Sequence, residues 1–301
     1  MALIALELSD AGIMAAAGDP PRLLPVDNRD TISRGFALPD NKNALFGNSA
    51  ARQAHLFPYK IQHRFWDQLS NDPLIETVAG AVSQAELAYG HLETLWRGLK
   101  VYGDEMILAV PTYYSRHQLG LLLGMAQELN RPIKGFVPPA LAAVPEPIPA
   151  SNLVFLDLHL HRTDASLLSQ KEQLSCIKTL TLDEHGLLQL HRAWVESLAE
   201  EFVQTTRIDP LHEARSEQAL YDLIEGILHH LQHHFSMTID LKLGQGVHSV
   251  TITRDLFTAK AASFIAGVQR LIPLLLEDAG DPASTVLLLT HRMAAVPGID
   301  L

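Results

Sequence analysis

The stretch NLVFLDLHLHRTDASLL, residues 152–168, decides the predicted fold. Two apolar runs, 152–158 and 162–168, lie on either side of a short turn, a pattern typical of paired β-strands. KTLTL at residues 178–182 follows as a third strand, so this segment predicts a three-stranded meander. The chain begins on the same plan, with predicted strands LIALELS (3–9), AGIMAAA (11–17) and RLLPV (22–26). The sequence therefore predicts an internal pseudo-repeat.

Strands and helices alternate after each meander. The small residues of 47–53 favour a short helix, and apolar residues recur at helical spacing from Ile75 to Leu99, which predicts one long helix. Strand 105–111, helix 115–130 and strand 133–137 complete the first half. In the second half we predict helices at 188–204, 213–233 and 255–276 and strands near 237–241, 247–253 and 285–289.

Five prolines lie in the middle of the chain, from residue 138 to residue 149. Proline has no backbone donor and disfavours helix at the residue before it, so we place a domain boundary here. The predicted domains are residues 1–149 and 150–301. Two halves on one plan predict an α/β fold of two pseudo-duplicated lobes around a central cleft.

The composition narrows the possible partners. Asp and Glu number 34 against 23 Lys and Arg, and the net charge of −11 repels phosphate backbones, so we expect no nucleic-acid partner. The single cysteine, Cys176, cannot form an internal disulfide, which fits a reducing cytoplasm. The first ten residues include Glu7 and Asp10 and lack a basic flank, so we expect neither a signal peptide nor membrane insertion.

Five segments match motifs of one known protein family and occur in the same order. They are GNSAARQAHLFP (47–58), VPTYYSRHQLGLLLGMAQELN (110–130), FVPPALAA (136–143), ITRDLF (252–257) and VLLLTHRMAAVPG (286–298). They resemble the nucleotide-binding domain of the DnaK-type seventy-kilodalton heat-shock chaperones, in the actin-like ATPase superfamily. The resemblance covers nearly the whole chain and implies the actin-like fold with a cleft for Mg-ATP. Because the chain ends at Leu301, just inside the expected final helix, we expect no peptide-binding β-sandwich domain.

The resemblance implies that three glycine-rich turns bind the nucleotide, because backbone amides must approach the phosphates closely. All three turns are altered in this chain. In place of Asp-Leu-Gly-Thr-Thr, the first turn reads Glu7-Leu8-Ser9-Asp10-Ala11. Glu7 is one methylene longer than the expected Asp, and Asp10 would set a carboxylate near the phosphates, where like charges repel.

The second and third turns have lost their glycines as well. In the second, His159, Leu160 and His161 stand where the family has Gly-Gly-Gly, although the flanking acids Asp157 and Asp164 remain. In the third, His291 and Arg292 stand in the Gly-Gly positions after Thr290. Side chains therefore occupy the positions where phosphate and adenosine would lie, and non-glycine residues in such turns cost about 1–3 kcal/mol each.

Two groups of side chains leave two interpretations open. Glu7 and Asp157 either order metal-bound water, as the resemblance implies, or cap turns and pair with Arg162 and Arg292. The second group is basic and comprises His159, His161, His291, Arg162 and Arg292. These side chains either form a binding site for an anion or pair with nearby acids, which are Asp10, Asp157 and Asp164.

The run HHLQHH (229–234) is the densest histidine cluster, with two pairs at the helical spacing of four residues. Such pairs can clamp a divalent ion, but imidazolium also suits a helix C-terminus, so we expect no native metal site.

These features predict a DnaK-like pseudo-ATPase, a non-enzymatic interaction, scaffold or co-chaperone-like module whose partner is another protein and which needs no cofactor. The vestigial nucleotide cleft would comprise Ser9, Asp10, His159, His161, Arg162, Thr290, His291 and Arg292, with Glu7 and Asp157 as vestigial catalytic candidates. The alternative is a divergent ATPase or kinase of the same superfamily that binds Mg-ATP.

Overall fold

The computed structural model describes residues 3–40, 43–78 and 81–299. The chain divides into two compact units, Met1–Ile148 and Pro149–Leu301, and the division falls in the proline-rich segment. Each unit combines β-sheets with helices, which confirms the predicted α/β class.

Unit 1 opens with a meander and continues with strands and helices. Its elements are β1 (Leu3–Glu7), β2 (Met14–Ala17), β3 (Arg22–Leu23), β4 (Ala37–Asp40), β5 (Asn43–Phe46), α1 (Asn48–Ala51), β6 (Pro73–Val78), β7 (Ala81–Ser83), α2 (Gln84–Leu99), β8 (Glu105–Ala109), α3 (Arg116–Glu128), β9 (Ile133–Val137) and α4 (Pro139–Ala142). The main sheet has the order β3-β2-β1-β8-β9, in which β1 is antiparallel to β2 and parallel to β8. The core includes Ile4 and Leu6 of β1, Leu92 of α2 and Leu122 of α3.

Unit 2 has the same kind of opening. Its elements are β10 (Asn152–Leu158), β11 (Arg162–Ser169), β12 (Ser175–Asp183), α5 (Leu187–Thr206), a 3-10 turn (Pro210–His212), α6 (Ala214–His233), β13 (Ser236–Leu243), β14 (Gly246–Thr253), α7 (Arg254–Leu276), β15 (Thr285–Leu289) and α8 (His291–Ala294). The main sheet has the order β12-β11-β10-β15. Its central strand β10 is buried along its whole length, and Trp194 of α5 stacks on Phe257 of α7 in the core beside it.

The two main sheets share one connection pattern. In each, three antiparallel strands form a meander, and a later strand lies parallel to the first strand of that meander. β8 takes this place beside β1, and β15 takes it beside β10. The repeat predicted from the two apolar meanders thus has a counterpart in the strand order.

Most predicted elements are present near their predicted bounds. Helix α3 begins where the sequence predicts, because Ser115 and Gln118 form a capping box in which each side chain accepts a hydrogen bond from the other residue's backbone N–H. The long helices α5, α6 and α7 and the strands β10, β11 and β15 also match the predictions. The third strand of the first meander, Arg22–Leu23, is shorter than predicted.

The predicted single helix from Ile75 to Leu99 is wrong. The first part of this segment forms strands β6 and β7, and the helix begins only at Gln84. Ser83 caps it by accepting a hydrogen bond from the backbone N–H of Glu86, whose carboxylate accepts one from Val82 N–H (2.8 Å). β-branched residues before this cap favour strand. Ala79, which contributed to the helical spacing, lies outside the described residues.

Helix α7 is the one helix in the described ranges that is long and apolar enough, by length and composition, to cross a membrane. Core helices meet the same test. Eight residues of α7 are buried, and seven of them belong to the apolar core of unit 2: Phe257, Ala261, Phe264, Ile265, Val268, Leu271 and Leu275.

Candidate functional site

The turn between β10 and β11 holds the residues that replace the second set of glycines. The backbone N–H of His159 donates to the carbonyl oxygen of Arg162 (2.9 Å) and closes this turn. Asp157, His159 and His161 are each no more than 3% exposed. The side chains in the expected glycine positions are therefore buried rather than exposed.

Asp157 at the end of β10 forms a buried ion pair with Arg292 of α8. The Arg292 Nη2 atom lies 3.0 Å from Asp157 Oδ1, and Arg292 Nε donates to the carbonyl oxygen of Leu158 (3.0 Å). Burial by itself would raise the pKa of Asp157. A protonated His159, the Arg292 charge, and hydrogen bonds from Arg292 and Thr290 together hold this pKa below its ordinary value. Asp157 is therefore an anion whose charge is already matched.

His159 lies between two carboxylates. Its Nε2 atom is 3.4 Å from Asp157 Oδ2 and 3.6 Å from Asp164 Oδ2. Asp164 also accepts a hydrogen bond from Thr181 Oγ1 (2.8 Å) on the neighbouring strand. Asp157 and Asp164, the two acids that match the pattern of the resembled family, thus belong to one buried polar cluster with basic partners.

Arg162 lies at the start of β11, where the strand register sets it opposite Asp183 of β12. The Arg162 Nη1 and Asp183 Oδ1 atoms are 2.9 Å apart. The next residue, Thr163, is fully buried and its hydroxyl donates to the carbonyl oxygen of His185 (2.6 Å). These contacts tie the β10–β11 turn to the segment that leads into α5.

The backbone amides at the start of α5 are used by the same turn. Leu187 N–H donates to the carbonyl oxygen of His159 (2.9 Å), and Leu188 N–H donates to that of Leu160 (3.0 Å). A Cβ at Gly186 would lie 2.5–2.6 Å from backbone atoms of the turn, so only glycine permits this close approach. Free amides at a helix N-terminus are suited to bind phosphate, but these amides already have carbonyl partners.

The third altered turn begins at Thr290, whose N–H donates to the carbonyl oxygen of Leu156 (3.1 Å). The Thr290 hydroxyl caps α8 by accepting a hydrogen bond from Met293 N–H (3.4 Å). Of the two residues in the Gly-Gly positions, Arg292 is 8% exposed, whereas His291 is exposed at the surface of unit 2. Arg292 therefore belongs to the Asp157 cluster, whereas the side chain of His291 is exposed.

The remaining predicted residues belong to unit 1. Glu7 ends β1 and is half-buried, while Ser9 and Asp10 are 2% and 1% exposed. Gly12 N–H donates to the carbonyl oxygen of Ser9 (3.0 Å), and Gly35 N–H donates to that of Asp10 (2.8 Å). Backbone hydrogen bonds therefore join the first altered turn to Gly12 and Gly35 of the same unit.

A buried polar chain in unit 1 was not predicted from the sequence. The indole N–H of Trp66 donates to His91 Nδ1 (3.0 Å), and because an indole can only donate, His91 carries its proton on Nε2. His91 Nε2 then donates to the Ser33 hydroxyl (3.0 Å), which donates to Asp27 Oδ2 (3.0 Å). Since His91 donates to the serine, it is not placed to act as a base, and the chain has a structural role. A histidine among the apolar positions of α2 was the available sequence signal.

Unit 1 should lose stability in acid because of His91. Burial lowers the pKa of His91 to about 3, whereas an unfolded histidine has a pKa of about 6.5. The unfolded state therefore binds the proton first, and stability that is complete above pH ~6.5 falls as the pH falls toward 3. Between pH ~7 and ~5, the wild type should lose about 2 kcal/mol more than His91→Gln in urea unfolding. Equal losses in both proteins would contradict this assignment.

The histidines at the end of α6 form two ring contacts. The rings of His230 and His234 stack at 4.2 Å, and those of His229 and His233 meet edge to face at 6.2 Å. Across residues 3–40, 43–78 and 81–299, no group of three or more His, Cys, Asp or Glu side chains is arranged to hold a metal ion. The absence of a native metal site stays a prediction.

Comparisons with known proteins add no family assignment: no protein-family model matches the sequence, and no curated protein matches it either.

Proposed function

We propose that the chain is a pseudo-ATPase of the actin-like, DnaK-related type that acts as a non-enzymatic interaction or scaffold module for another protein. The observation that carries the proposal is the use of the Leu187 and Leu188 amides by the carbonyl oxygens of the β10–β11 turn. At a helix N-terminus that binds phosphate, amides of this kind would face phosphate oxygens. Here the turn itself is their acceptor.

The buried ion pair supports the same conclusion. An acid that ordered metal-bound water would need its carboxylate open to the metal shell, but Asp157 is 3% exposed and bonded to Arg292. Removing one partner of a buried pair costs about 3–5 kcal/mol. Nucleotide or magnesium would have to offset that cost before binding.

The strand order supports the actin-like part of the proposal. Each main sheet contains a three-stranded meander with one further strand parallel to its first strand. A duplicated α/β architecture requires such a shared strand order. We propose a cytoplasmic location, because the single cysteine suits a reducing compartment, and no nucleic-acid partner, because the net charge of −11 repels phosphate backbones. We propose that no cofactor is needed, because Arg292 already pairs with the Asp157 carboxylate.

An ATP turnover assay tests this proposal. Phosphate release from Mg-ATP by the wild type should equal the buffer blank, and Asp157→Asn should give the same value, because no catalytic acid is lost. Release well above the blank that Asp157→Asn abolishes would instead identify the divergent ATPase. Transfer of labelled phosphate to the chain or to an added protein would identify the kinase.

A further inference from the structure

Unit 1 contains a groove of about 810 Å³ that no sequence motif predicted. It lies between the segment 25–29, strand β5 and one side of α2, with Tyr102 beyond the helix. The residues of its rim, among them Asn28, Arg29 and Arg97, are exposed, while those of its floor are buried or half-buried. The volume is within the range of ligand sites, and the exposed rim makes it an open groove.

A free strand edge runs along this groove. In the described part of the chain, β5 pairs only with β4. Ala37 of β4 exchanges both of its backbone hydrogen bonds with Gln62, so Ala37 and the residue opposite it, Phe46, are not bonded to each other. Because hydrogen-bonding direction alternates along a strand, the backbone groups of Phe46 and Ala44 point away from β4. Ala44, Leu45 and Phe46 all line the groove, as expected if it follows the edge of the strand.

Of the charged side chains that line the groove, three have partners among the described residues and Arg29 has none. Asp27 accepts hydrogen bonds from Ser33 and from Asn48 N–H (2.7 Å), and Glu93 lies 3.5 Å from Arg97. Arg29 is exposed and makes no hydrogen bond or ion pair with any described residue. The four charged side chains of the lining sum to zero, so the groove carries no net charge. Arg29 is nevertheless the one of the four without a partner among the described residues, and its guanidinium is available to pair with an added acid.

The backbone at Arg29 adds a second feature. Asp27 and Asp30 exchange backbone hydrogen bonds around a two-residue turn, in which Arg29 has a φ of 90°. Such turns favour glycine at this position, and a non-glycine residue there costs on the order of 1 kcal/mol. The turn thus keeps an arginine on the rim in a conformation that glycine would adopt more easily.

We infer that this groove binds an extended peptide segment of a partner protein, which adds as a strand to β5 and places an acidic side chain against Arg29. The inference rests on the interaction role proposed above and names the class of partner. An exposed strand edge supplies backbone donors and acceptors at every second residue, which is the chemistry of strand addition. A small anion would use Arg29 but would leave the edge of β5 unpaired.

Selection from a random peptide library displayed on phage, with the whole chain as bait, tests the inference. The selected peptides should alternate in polarity and share an acidic residue. In fluorescence anisotropy, replacing that acid with lysine, or methylating alternate backbone nitrogens of the peptide, should weaken binding by about tenfold or more.

Two variants of the chain locate the site. Arg29→Gly removes the charge and suits the φ of 90°, so it should fold normally and bind the selected peptide about tenfold more weakly. Ala44→Pro removes a donor that faces away from β4, and should weaken binding while leaving the β4–β5 pairing intact. Arg52→Ala is the matched control, because Arg52 is an exposed cation that pairs with Asp30 outside the groove.

The groove inference would be overturned if the selected peptides bound Arg29→Gly and Ala44→Pro as tightly as the wild type. A library that yields no binder would overturn it as well. Neither result would affect the pseudo-ATPase proposal, which depends on nucleotide. The converse result is also distinguishable. If the chain hydrolysed ATP and its peptide binding still required Arg29, the proposed lack of enzymatic activity would be wrong and the groove inference would stand.

Discussion

Replacing Arg292 with alanine should destabilise unit 2 by about 3–5 kcal/mol, because it leaves the Asp157 carboxylate buried without its ion pair and the Leu158 carbonyl without its donor. Urea unfolding measures the loss, and hydrogen exchange should show it in the amides of β10 and α8 first. Arg192→Ala is the matched control. Arg192 lies 4.0 Å from Glu196 with both side chains exposed, and such pairs contribute about 0–1 kcal/mol.

A second variant separates the ion pair from packing. Asp157→Leu combined with Arg292→Met replaces the pair with apolar groups, and should recover part of the stability that Arg292→Ala loses. A single Arg292→Ala variant as stable as Arg192→Ala would show that Asp157 does not depend on Arg292.

Gly186→Ala should destabilise unit 2 by about 3 kcal/mol, at the upper end of overpacking effects. The added Cβ would lie 2.5 Å from Arg162 N and from His161 C and 2.6 Å from Leu160 O, and backbone atoms cannot move aside as a flexible side chain can. The φ of −129° at Gly186 suits any residue, so the cost is steric. Hydrogen exchange should accelerate at Leu187 and Leu188, whose amides bond to the turn.

Gly226→Ala serves as the control for this change. A Cβ at Gly226 meets no atom within 4 Å, and the residue lies inside α6. This substitution should therefore stabilise the protein by about 0.5–1 kcal/mol. If Gly186→Ala behaved like Gly226→Ala, the close contact between the turn and the start of α5 would be wrong.

The strands and long helices were predictable because local pattern and tertiary environment agree. The apolar run of β10 is buried on both faces, and α6 buries the one apolar face that its spacing indicates. The helix predicted for the segment before Ser83 was wrong because the apolar spacing of this segment also fits a helix. Its β-branched residues favour strand, and the Ser83 cap fixes the start of the helix. Two local signals conflict in this segment, and the β-branched residues and the Ser83 cap outweigh the apolar spacing.

The polar clusters were harder to predict because their members are far apart in the sequence. His91 and Ser33 are 58 residues apart, and Arg292 and Asp157 are 135 apart. Arg162 faces Asp183 because of the β11–β12 register, which composition and spacing do not determine. The groove beside β5 left no sequence signal, since it depends on which edge of a short hairpin stays unpaired.

A thermal-shift titration with Mg-ATP and Mg-ADP tests most directly the claim that the altered turns do not accept nucleotide. A ligand at a hundred times its Kd stabilises a protein by about 2.7 kcal/mol, which corresponds to a rise of several degrees in Tm. We predict that millimolar nucleotide leaves the Tm unchanged, because the amides of Leu187 and Leu188 and the carboxylate of Asp157 already have protein partners. A dose-dependent rise of several degrees would contradict the account.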